Sequence, residues 1–332
     1  MIAAHEPAID AAWEYIAGVD PRTTFFQTPA WARLVEAMGV GWSNASRLIT
    51  LRDGSRAVVP RMRLAAGHGC FARLDSMPPG VYGGPVCERP LREEEARLFG
   101  RFFRGLSFAG GTLIEAPSAP LAVGSTERIQ GHTQILDLTR GAATEDGVLR
   151  GYSKGHRAAV GRARREQVRT ALARDQADFT AYGNLYQDLR ARWRRAPYVV
   201  YPHDFFTALW RASRIDSRIR LWLAKRDEQL LAGAVILHHG RHAAYWHAAS
   251  SAEGRALQAG HLVLHTAIMD ALQSSRMCFD FMPSAGLDAV VRFKSGFGAQ
   301  PVEIGIHQFA ASIPYRVLSA TAARLSGTRS AA

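Results

Sequence analysis

The chain has 332 residues, of which 47% are hydrophobic and 21% are charged. This balance is typical of a soluble globular protein and excludes a disordered or collagen-like chain. The 41 Lys and Arg against 29 Asp and Glu give a formal net charge of +12, which points to an acidic partner such as nucleic acid, a phosphate or an anionic surface. The three cysteines, Cys70, Cys87 and Cys278, stand apart in sequence, and this spacing argues against a disulfide framework or a structural zinc site.

Neither a membrane span nor a secretory leader is predicted. No apolar run reaches the roughly 18 residues that a transmembrane helix needs. The first residues, Met1 to Pro7, lack the basic and then apolar pattern of a signal peptide. We therefore expect a cytoplasmic protein with no transmembrane segment.

The predicted elements of the first half alternate between helices and strands. The pattern predicts helices at 8–17 and 29–38, a hairpin of strands 47–51 and 57–59 around Asp53-Gly54-Ser55, a helix at 91–105, and strands near 112–115 and 133–137.

The second half repeats this alternation in a longer form. It predicts helices near 154–173, 180–194 and 204–213, strands at 220–224, 231–237 and 243–248, and then a helix, strand, helix and strand at 259–273, 277–281, 287–295 and 302–308. An antiparallel meander followed by this alternation is the order of an acetyltransferase-like (GNAT-type) α/β domain. We therefore predict an α/β (layered α+β) fold with two tandem GNAT-like domains, the first degenerate, over 1–145 and 146–332. A polar, glycine-containing linker is expected near 140–151.

The excess positive charge is concentrated in one stretch. Residues 1–150 hold 16 Arg and 16 acidic residues, whereas residues 151–226 hold 17 Lys and Arg and 6 acidic residues. On a helix running through this stretch, six cations would lie within an arc of about 160°: Lys154, Arg157, Arg162, Arg164, Arg165 and Arg169. The smaller residues Ala159, Val160, Ala163 and Thr170 would lie opposite. Such a helix could present guanidinium groups to a phosphate backbone; the alternative is a solvated charged face.

Four segments, in this order, resemble the FemABX family, which is built from two acetyltransferase-type domains. They are Phe26-Gln-Thr-Pro-Ala-Trp31, Tyr82-Gly-Gly-Pro-Val86, Lys154-Gly-His-Arg-Ala-Ala-Val-Gly-Arg-Ala163, and Phe279-Asp-Phe281 followed by Arg292-Phe-Lys-Ser-Gly-Phe-Gly298. The resemblance covers most of the chain. It implies transfer of an acyl group, usually an aminoacyl group from aminoacyl-tRNA, to an amine.

The resemblance assigns the central catalytic role to Lys294. Aminolysis of an ester passes through a tetrahedral oxyanion, and a cation placed at that oxygen stabilises it. Lys294 would supply this cation and Phe293 would shape the pocket; otherwise Lys294 is a surface residue at a helix end. Asp280 could accept a proton from the attacking amine, orient Lys294, or act only as a structural cap at a strand end. The family commonly has glycine after this Asp-Phe pair, where Met282 and Pro283 stand here, so the sequence departs from the family pattern at this point of the backbone.

Further candidates for substrate binding are aromatic and basic. Trp31 and Tyr82 belong to the family segments above. Tyr245 and His247 are expected on one face of a strand, where they could reach an acceptor pocket or form a half-buried aromatic strand. Arg195, Tyr198 and Tyr201 lie in a stretch that interleaves guanidinium and aromatic groups, although a solvated Arg face ending in a proline turn explains it nearly as well.

The six histidines between 238 and 265 do not form a recognisable metal site. His261 and His265 have the i, i+4 spacing that can hold zinc, but no His-Glu-x-x-His pattern accompanies them. We predict no metal and no resident cofactor.

Three functions remain open from the sequence. The first is an aminoacyl-tRNA-dependent transferase that forms an amide on a small amine, either a specialised metabolite or a cell-wall precursor. Val35 and Glu36 replace a lysine common in family members that bind nucleotide-linked muramyl peptides, which argues against that usual precursor. The second is an acyl-CoA N-acyltransferase, weakened because the stretch from Arg255 to Gly260 has only one glycine of the pyrophosphate-binding pattern. The third is a non-catalytic RNA-binding protein; no DNA partner is expected.

Overall fold

The structure, a computed structural model, describes residues 2–66, 69–78, 80–117, 119–121, 123–139, 144–192, 200–284 and 286–319. These form two compact units, unit 1 with residues 1–131 and 304–332 and unit 2 with residues 132–303. This division differs from the predicted boundary at 145/146. The strand at 302–308 was predicted to close the second domain, but its last residues pair with a strand of unit 1.

Unit 1 consists of short helices packed on small antiparallel sheets. Its elements are β1 (Ile2–Pro7), α1 (Asp10–Val19), α2 (Pro29–Glu36), β2 (Trp42–Asn44), β3 (Arg47–Leu51), β4 (Arg56–Val59), β5 (Met62–Ala66), β6 (Phe71–Asp75), β7 (Val86–Cys87), α3 (Glu93–Phe99) and β8 (Gly111–Ile114). The sheets have the orders β1-β3-β4-β7 and β2-β5-β6. β9 (Glu127–Asp137) begins in unit 1 and ends in unit 2.

The hairpin predicted around Asp53 and Gly54 is present between β3 and β4. Gly54 has a φ of +83°, a left-handed conformation that glycine adopts without steric cost. The Leu51 amide donates to the Ser55 carbonyl at 2.8 Å, and the sheet registers Leu48 against Val58.

Unit 2 carries the larger sheet. Its elements are α4 (Glu145–Gly151), α5 (Lys154–Arg165), β10 (Arg169–Leu172), α6 (Gln176–Arg190), α7 (His203–Ile215), β11 (Ile219–Arg226), β12 (Gln229–His239), β13 (His242–Ser250), α8 (Ala252–Ala256), α9 (Ala259–Gln273), β14 (Cys278–Asp280) and α10 (Asp288–Ser295). β15 (Gln300–Phe309) begins in this unit and ends in unit 1.

The sheet of unit 2 runs in the order β10-β11-β12-β13-β14-β9. Neighbouring strands are antiparallel except β13 and β14, which are parallel. The predicted meander and the alternating elements after it are therefore confirmed. Helix α9 lies between β13 and β14 in the chain and packs on one face of the sheet. It buries apolar residues such as Leu262 and Ile268 in the core of this unit.

The helix predicted over 154–173 is shorter than expected. It ends at Arg165, and Gln167 takes a left-handed conformation with a φ of +58°. The amides of Gln167 and Val168 then bond to the carbonyls of Arg164 and Ala163 at 3.1 and 3.0 Å, the pattern that closes a helix when the chain turns left-handed. No glycine stands at the end of this helix to indicate it in the sequence, and the chain continues as β10.

Candidate active site

The two parallel strands of unit 2 separate at their carboxyl ends. β13 and β14 pair from His242 and Cys278 to Ala244 and Asp280. β14 ends there, whereas β13 continues to Ser250. A crevice outside the carboxyl ends of parallel strands is a frequent ligand site, and the predicted catalytic residues lie around this point.

Lys294 is held by the backbone that follows β14. Its Nζ donates to the carbonyl oxygens of Met282 at 2.6 Å and Pro283 at 3.3 Å. An ammonium group has three donors, and no third acceptor is present among the described residues. Lys294 is only 4% exposed, so the alternative of an ordinary surface lysine does not fit the structure.

Burial also tunes the charge of this ammonium group. Desolvation lowers the pKa of Lys294 to about 8, against an opposing effect of the Asp280 carboxylate. At neutral pH the group therefore remains mostly protonated, and its free proton can be donated to an oxygen that gains negative charge.

Asp280 is fully buried and bonded on both carboxylate oxygens. Oδ1 accepts from Thr133 Oγ1 and from the Met282 amide, both at 2.7 Å, and Oδ2 lies 3.0 Å from His242 Nε2. These contacts favour the orienting role, because Asp280 fixes the Met282 backbone whose carbonyl holds Lys294. Its role as a base stays a prediction.

Met282 stands where the family commonly has glycine, and its backbone takes a left-handed conformation. Met282 has a φ of +63°, in the left-handed region that favours glycine and costs a residue with a side chain about 1–2 kcal/mol. Its amide bond to Asp280 stabilises this turn. The methionine therefore takes up a glycine-like conformation.

Two contacts connect helix α5 to the end of helix α10. His156 Nε2 lies 2.8 Å from the Phe293 carbonyl, and the Ser153 amide donates to the Gly296 carbonyl at 2.9 Å. The Phe293 ring contacts the His156 ring with centroids 5.5 Å apart. Phe293 thus supports the helix end that carries Lys294.

The basic residues predicted to bind phosphate are all exposed. Five lie on α5, but Arg169 does not share their helical arc, because it lies on β10. Thr170 likewise belongs to β10, whereas Ala159, Val160 and Ala163 are buried as predicted. We call these six cations the basic surface: Lys154, Arg157, Arg162, Arg164, Arg165 and Arg169.

Two members of the basic surface have partners within the protein. Arg164 pairs with Glu145, and Arg157 donates to the Tyr152 and Arg150 carbonyls. The other four make no ion pair within the described residues and are available to an external anion.

Tyr245 and His247 do not share a face. The register shifts between Val235 and Ile236, which pair with His247 and Tyr245, and Trp246 is the extra residue of a bulge. Val235 and Ile236 are adjacent on β12 and therefore point to opposite faces of the sheet. Their partners His247 and Tyr245 point to opposite faces as well. The prediction was wrong because a bulge breaks the two-residue period.

The two side chains therefore enter different aromatic groups. Tyr245 contacts Phe281, with ring centroids 5.9 Å apart, beside the core that α9 covers. The His247 ring contacts Tyr182, Tyr186 and Tyr201, and burial lowers the pKa of His247 to about 4.

The other predicted substrate contacts have mixed locations. Trp31 and Tyr82 are fully buried in unit 1, where both contact Phe26, so packing accounts for them and a substrate contact stays a prediction. Tyr201 is buried near His247, Trp246 and Phe205. Arg195 and Tyr198 lie outside the described residues.

The histidine pair with zinc-like spacing makes contacts inside the protein. His265 Nδ1 lies 3.1 Å from the Tyr152 hydroxyl, and Nε2 lies 3.1 Å from Glu145 Oε1. The His261 ring contacts His156 and Phe293. Across the described ranges, no group of three or more His, Cys, Asp or Glu is arranged to hold a metal ion.

Comparisons with known proteins identify the fold. Residues 150–295 match the family model described as Acetyltransferase (GNAT) domain. The crystal structure of FemX superposes with a TM-score of 0.68 at 12% identity, covering 91% of this chain and 96% of FemX. The chain is FemABX-like in fold.

Other solved structures share this FemABX-like fold. A conserved protein of unknown function from Bacteroides thetaiotaomicron has a TM-score of 0.56 at 8% identity, covering 93% of this chain and 100% of its own. L-PGS from Bacillus licheniformis has a TM-score of 0.50 at 12% identity, covering 90% and 92%. No curated protein sequence matches this chain. No helix in the described part of the chain has the length and apolar character needed to cross a bilayer.

Three residues of the candidate site were not found from the sequence. Thr133 and His242 hold Asp280, and His156 holds the end of α10. His242 belonged to the histidine-rich span and His156 to the basic segment, but neither pattern indicated a partner. Thr133 lies 147 positions from Asp280, and only the sheet pairing of β9 with β14 brings the two together.

Proposed function

We propose that this protein is an acyltransferase that moves an aminoacyl group from aminoacyl-tRNA to the amine of a small molecule. The observation that carries the proposal is the buried Lys294 ammonium, held by two carbonyls at the end of the parallel strands with one proton free. The FemABX-like fold and the GNAT-domain match support an acyl transfer reaction at this site.

In the proposed reaction the acceptor nitrogen attacks the ester carbonyl carbon of the donor. The carbonyl oxygen becomes an oxyanion that accepts the free Lys294 proton as a hydrogen bond. The tetrahedral intermediate then breaks its bond to the ribose oxygen, which leaves with the proton released by the amine. Removing a comparable oxyanion donor slows such a reaction about 10²–10³-fold.

The basic surface supports tRNA as the donor. Lys154, Arg162, Arg165 and Arg169 are exposed and make no ion pair with another residue that the structure describes, and α5 is bonded to the helix that carries Lys294 through His156. A phosphate backbone bound along α5 would therefore lie on an element connected to the reacting centre. The acceptor is proposed to be a specialised metabolite or a cell-wall precursor, and the reaction to take place in the cytoplasm without a resident cofactor.

An acyl-CoA donor is the second candidate, and the match to an acetyltransferase domain over residues 150–295 favours it. Helix α9 starts at Ala259, followed by Gly260, close in sequence to the end of β13. The amides in the first turn of a helix can bind a pyrophosphate. Lys294 would act on a thioester carbonyl in the same way.

The test presents both donors to the purified protein and to its Lys294→Ala variant. We expect wild-type protein to discharge aminoacyl-tRNA when an acceptor amine is present, and the variant to bind tRNA normally but turn over about 10²–10³-fold more slowly. Consumption of acyl-CoA with intact aminoacyl-tRNA would replace the proposal by the second candidate. Equal biological function of both proteins, with no turnover of either donor, would favour a non-catalytic RNA-binding protein.

A further inference from the structure

Unit 2 contains a cavity that shares no residue with the Lys294 site. It has a volume of about 540 Å³, within the range of small-molecule pockets. It lies where β10 stops, at the start of β11, and is bordered by α7 and the end of α9. Its polar lining includes Arg174, Arg214, Arg220, Asp270 and Ser274.

The cavity exists because the edge strand is shorter than its neighbour. The last ladder pair of β10 joins Leu172 to Trp222, and the Ala173 amide adds one bond to the Leu221 carbonyl at 2.8 Å. β11 begins earlier, at Ile219. The first residues of β11 therefore extend beyond β10, and the chain from Ala173 onward borders the open space.

The lining is cationic. Arg220 donates to both Asp270 oxygens at 2.6 Å and to Ser274 Oγ at 2.9 Å. Arg174 and Arg214 are exposed, and neither guanidinium donates to a carboxylate within the described ranges. Three guanidinium groups and one carboxylate leave a formal charge of +2 around the cavity.

Two further donors belong to residues that line the cavity. The Trp210 indole nitrogen is buried and has no hydrogen-bond acceptor among the described residues, although Trp210 lines the cavity. A buried donor without a partner is uncommon in native proteins. The Ser274 hydroxyl accepts from Arg220 and keeps its own proton to donate.

We infer that this cavity binds a small phosphomonoester, with Arg174 and Arg214 contacting the phosphate. A phosphomonoester carries a charge of about −1.5 to −2 at pH 7 and three acceptor oxygens. Both properties match a net charge of +2 and donors on several sides. Guanidinium groups also suit phosphate because their planar donors bind two oxygens at once. The inference is independent of the reaction at Lys294.

The test measures binding of 5′-AMP and of inorganic phosphate by calorimetry at constant ionic strength. We expect saturable binding to wild-type protein and at least tenfold weaker binding to the double variant Arg174→Gln/Arg214→Gln. The matched control is Arg211→Gln/Arg241→Gln, which removes two exposed arginines that do not line the cavity and should bind like wild type. Binding of 5′-AMP without binding of inorganic phosphate would identify an esterified ligand. Equal binding of both probes would identify phosphate itself as the recognised group.

Three results would overturn this assignment. The first is that neither probe binds saturably to wild-type protein. The second is that the control variant weakens binding of the probes as much as the Arg174→Gln/Arg214→Gln variant does. The third is that tRNA binds more tightly than either probe and that this binding depends on Arg174 and Arg214. The third would reassign the surface to RNA. A thermal unfolding scan of each variant shows whether its fold is retained, and all four substituted residues are exposed.

Discussion

The charged side chain of Lys294 is buried, and burial disfavours its charged form. The ammonium is 4% exposed, and desolvation lowers its pKa to about 8. A cation in this state binds a developing oxyanion more strongly than one in water, because less solvent screens the interaction. The same burial destabilises the folded protein at every pH at which the Lys294 side chain is charged.

Replacing Lys294 with methionine should separate these two effects. We expect Lys294→Met to abolish most turnover and to raise the free energy of unfolding at pH 7 by about 1–3 kcal/mol, since it removes a buried charge. The folded-state pKa is below the unfolded value, so wild-type stability should rise between pH 8 and 10.5 while that of the variant does not. Urea unfolding at pH 7 and pH 10 measures both. A variant less stable than wild type at pH 7 would contradict this account.

The pH dependence of turnover should show the same group. The acceptor amine must lose a proton to attack, so kcat/KM rises with pH at first. Above about pH 8 the loss of the Lys294 charge should oppose this rise, so kcat/KM levels off while the acceptor amine is still losing its proton and then falls. In Lys294→Arg, whose guanidinium stays protonated throughout, any remaining activity should lack this fall. Initial rates, corrected for spontaneous ester hydrolysis, test this, and a wild-type profile that follows that of Lys294→Arg from pH 8 to 10 would disprove the role of the ammonium.

At the scale of elements, the contact between α5 and α10 leaves no space for a side chain at Gly296. A Cβ there would lie 2.1 Å from a carbon of the His156 ring. At Gly155, one residue before His156, a Cβ would meet no atom within 4 Å. These two glycines of the same contact region form a matched pair.

Gly296→Ala should displace His156 and loosen the helix end that carries Lys294. We expect a loss of about 2–4 kcal/mol in the free energy of unfolding and a lower kcat. Gly155→Ala should stabilise the protein by about 0.4–1 kcal/mol, because alanine in the first turn of α5 loses less conformational freedom on folding than glycine, with turnover unchanged. Equal effects of both substitutions in urea unfolding and rate measurements would refute the importance of this contact.

The elements show how far the sequence predicts the structure. Helix α9 was predicted at its observed bounds because a long apolar pattern is a strong local signal. The predicted helix over 154–173 was too long, since the left-handed turn at Gln167 lacks the usual glycine. The bulge at Trp246 could not be predicted from the sequence either, because a register shift depends on the neighbouring strand. In the site, Lys294 and Asp280 were found through the family segments, but their partners Thr133 and His242 come from distant strands.

Over the whole molecule, the excess positive charge is concentrated in residues 151–226, which include α5, the helix bonded to α10 through His156. The triple variant Arg162→Ala/Arg165→Ala/Arg169→Ala should weaken tRNA binding and reduce the slope of log affinity against log salt by about 2. The control Arg52→Ala/Arg63→Ala/Arg211→Ala removes the same charge from exposed positions elsewhere and should have much less effect. Filter binding between 50 and 200 mM salt compares them. Unchanged tRNA-dependent turnover in the first variant would exclude the basic surface as the tRNA site.

The most direct measurement follows a labelled aminoacyl group from charged tRNA into a small-molecule amide, with a mixture of cellular amines as acceptors. The account predicts that wild-type protein forms one labelled amide and that Lys294→Ala forms it about 10²–10³-fold more slowly. An amide formed equally fast by both proteins, or formed only from acyl-CoA, would contradict it.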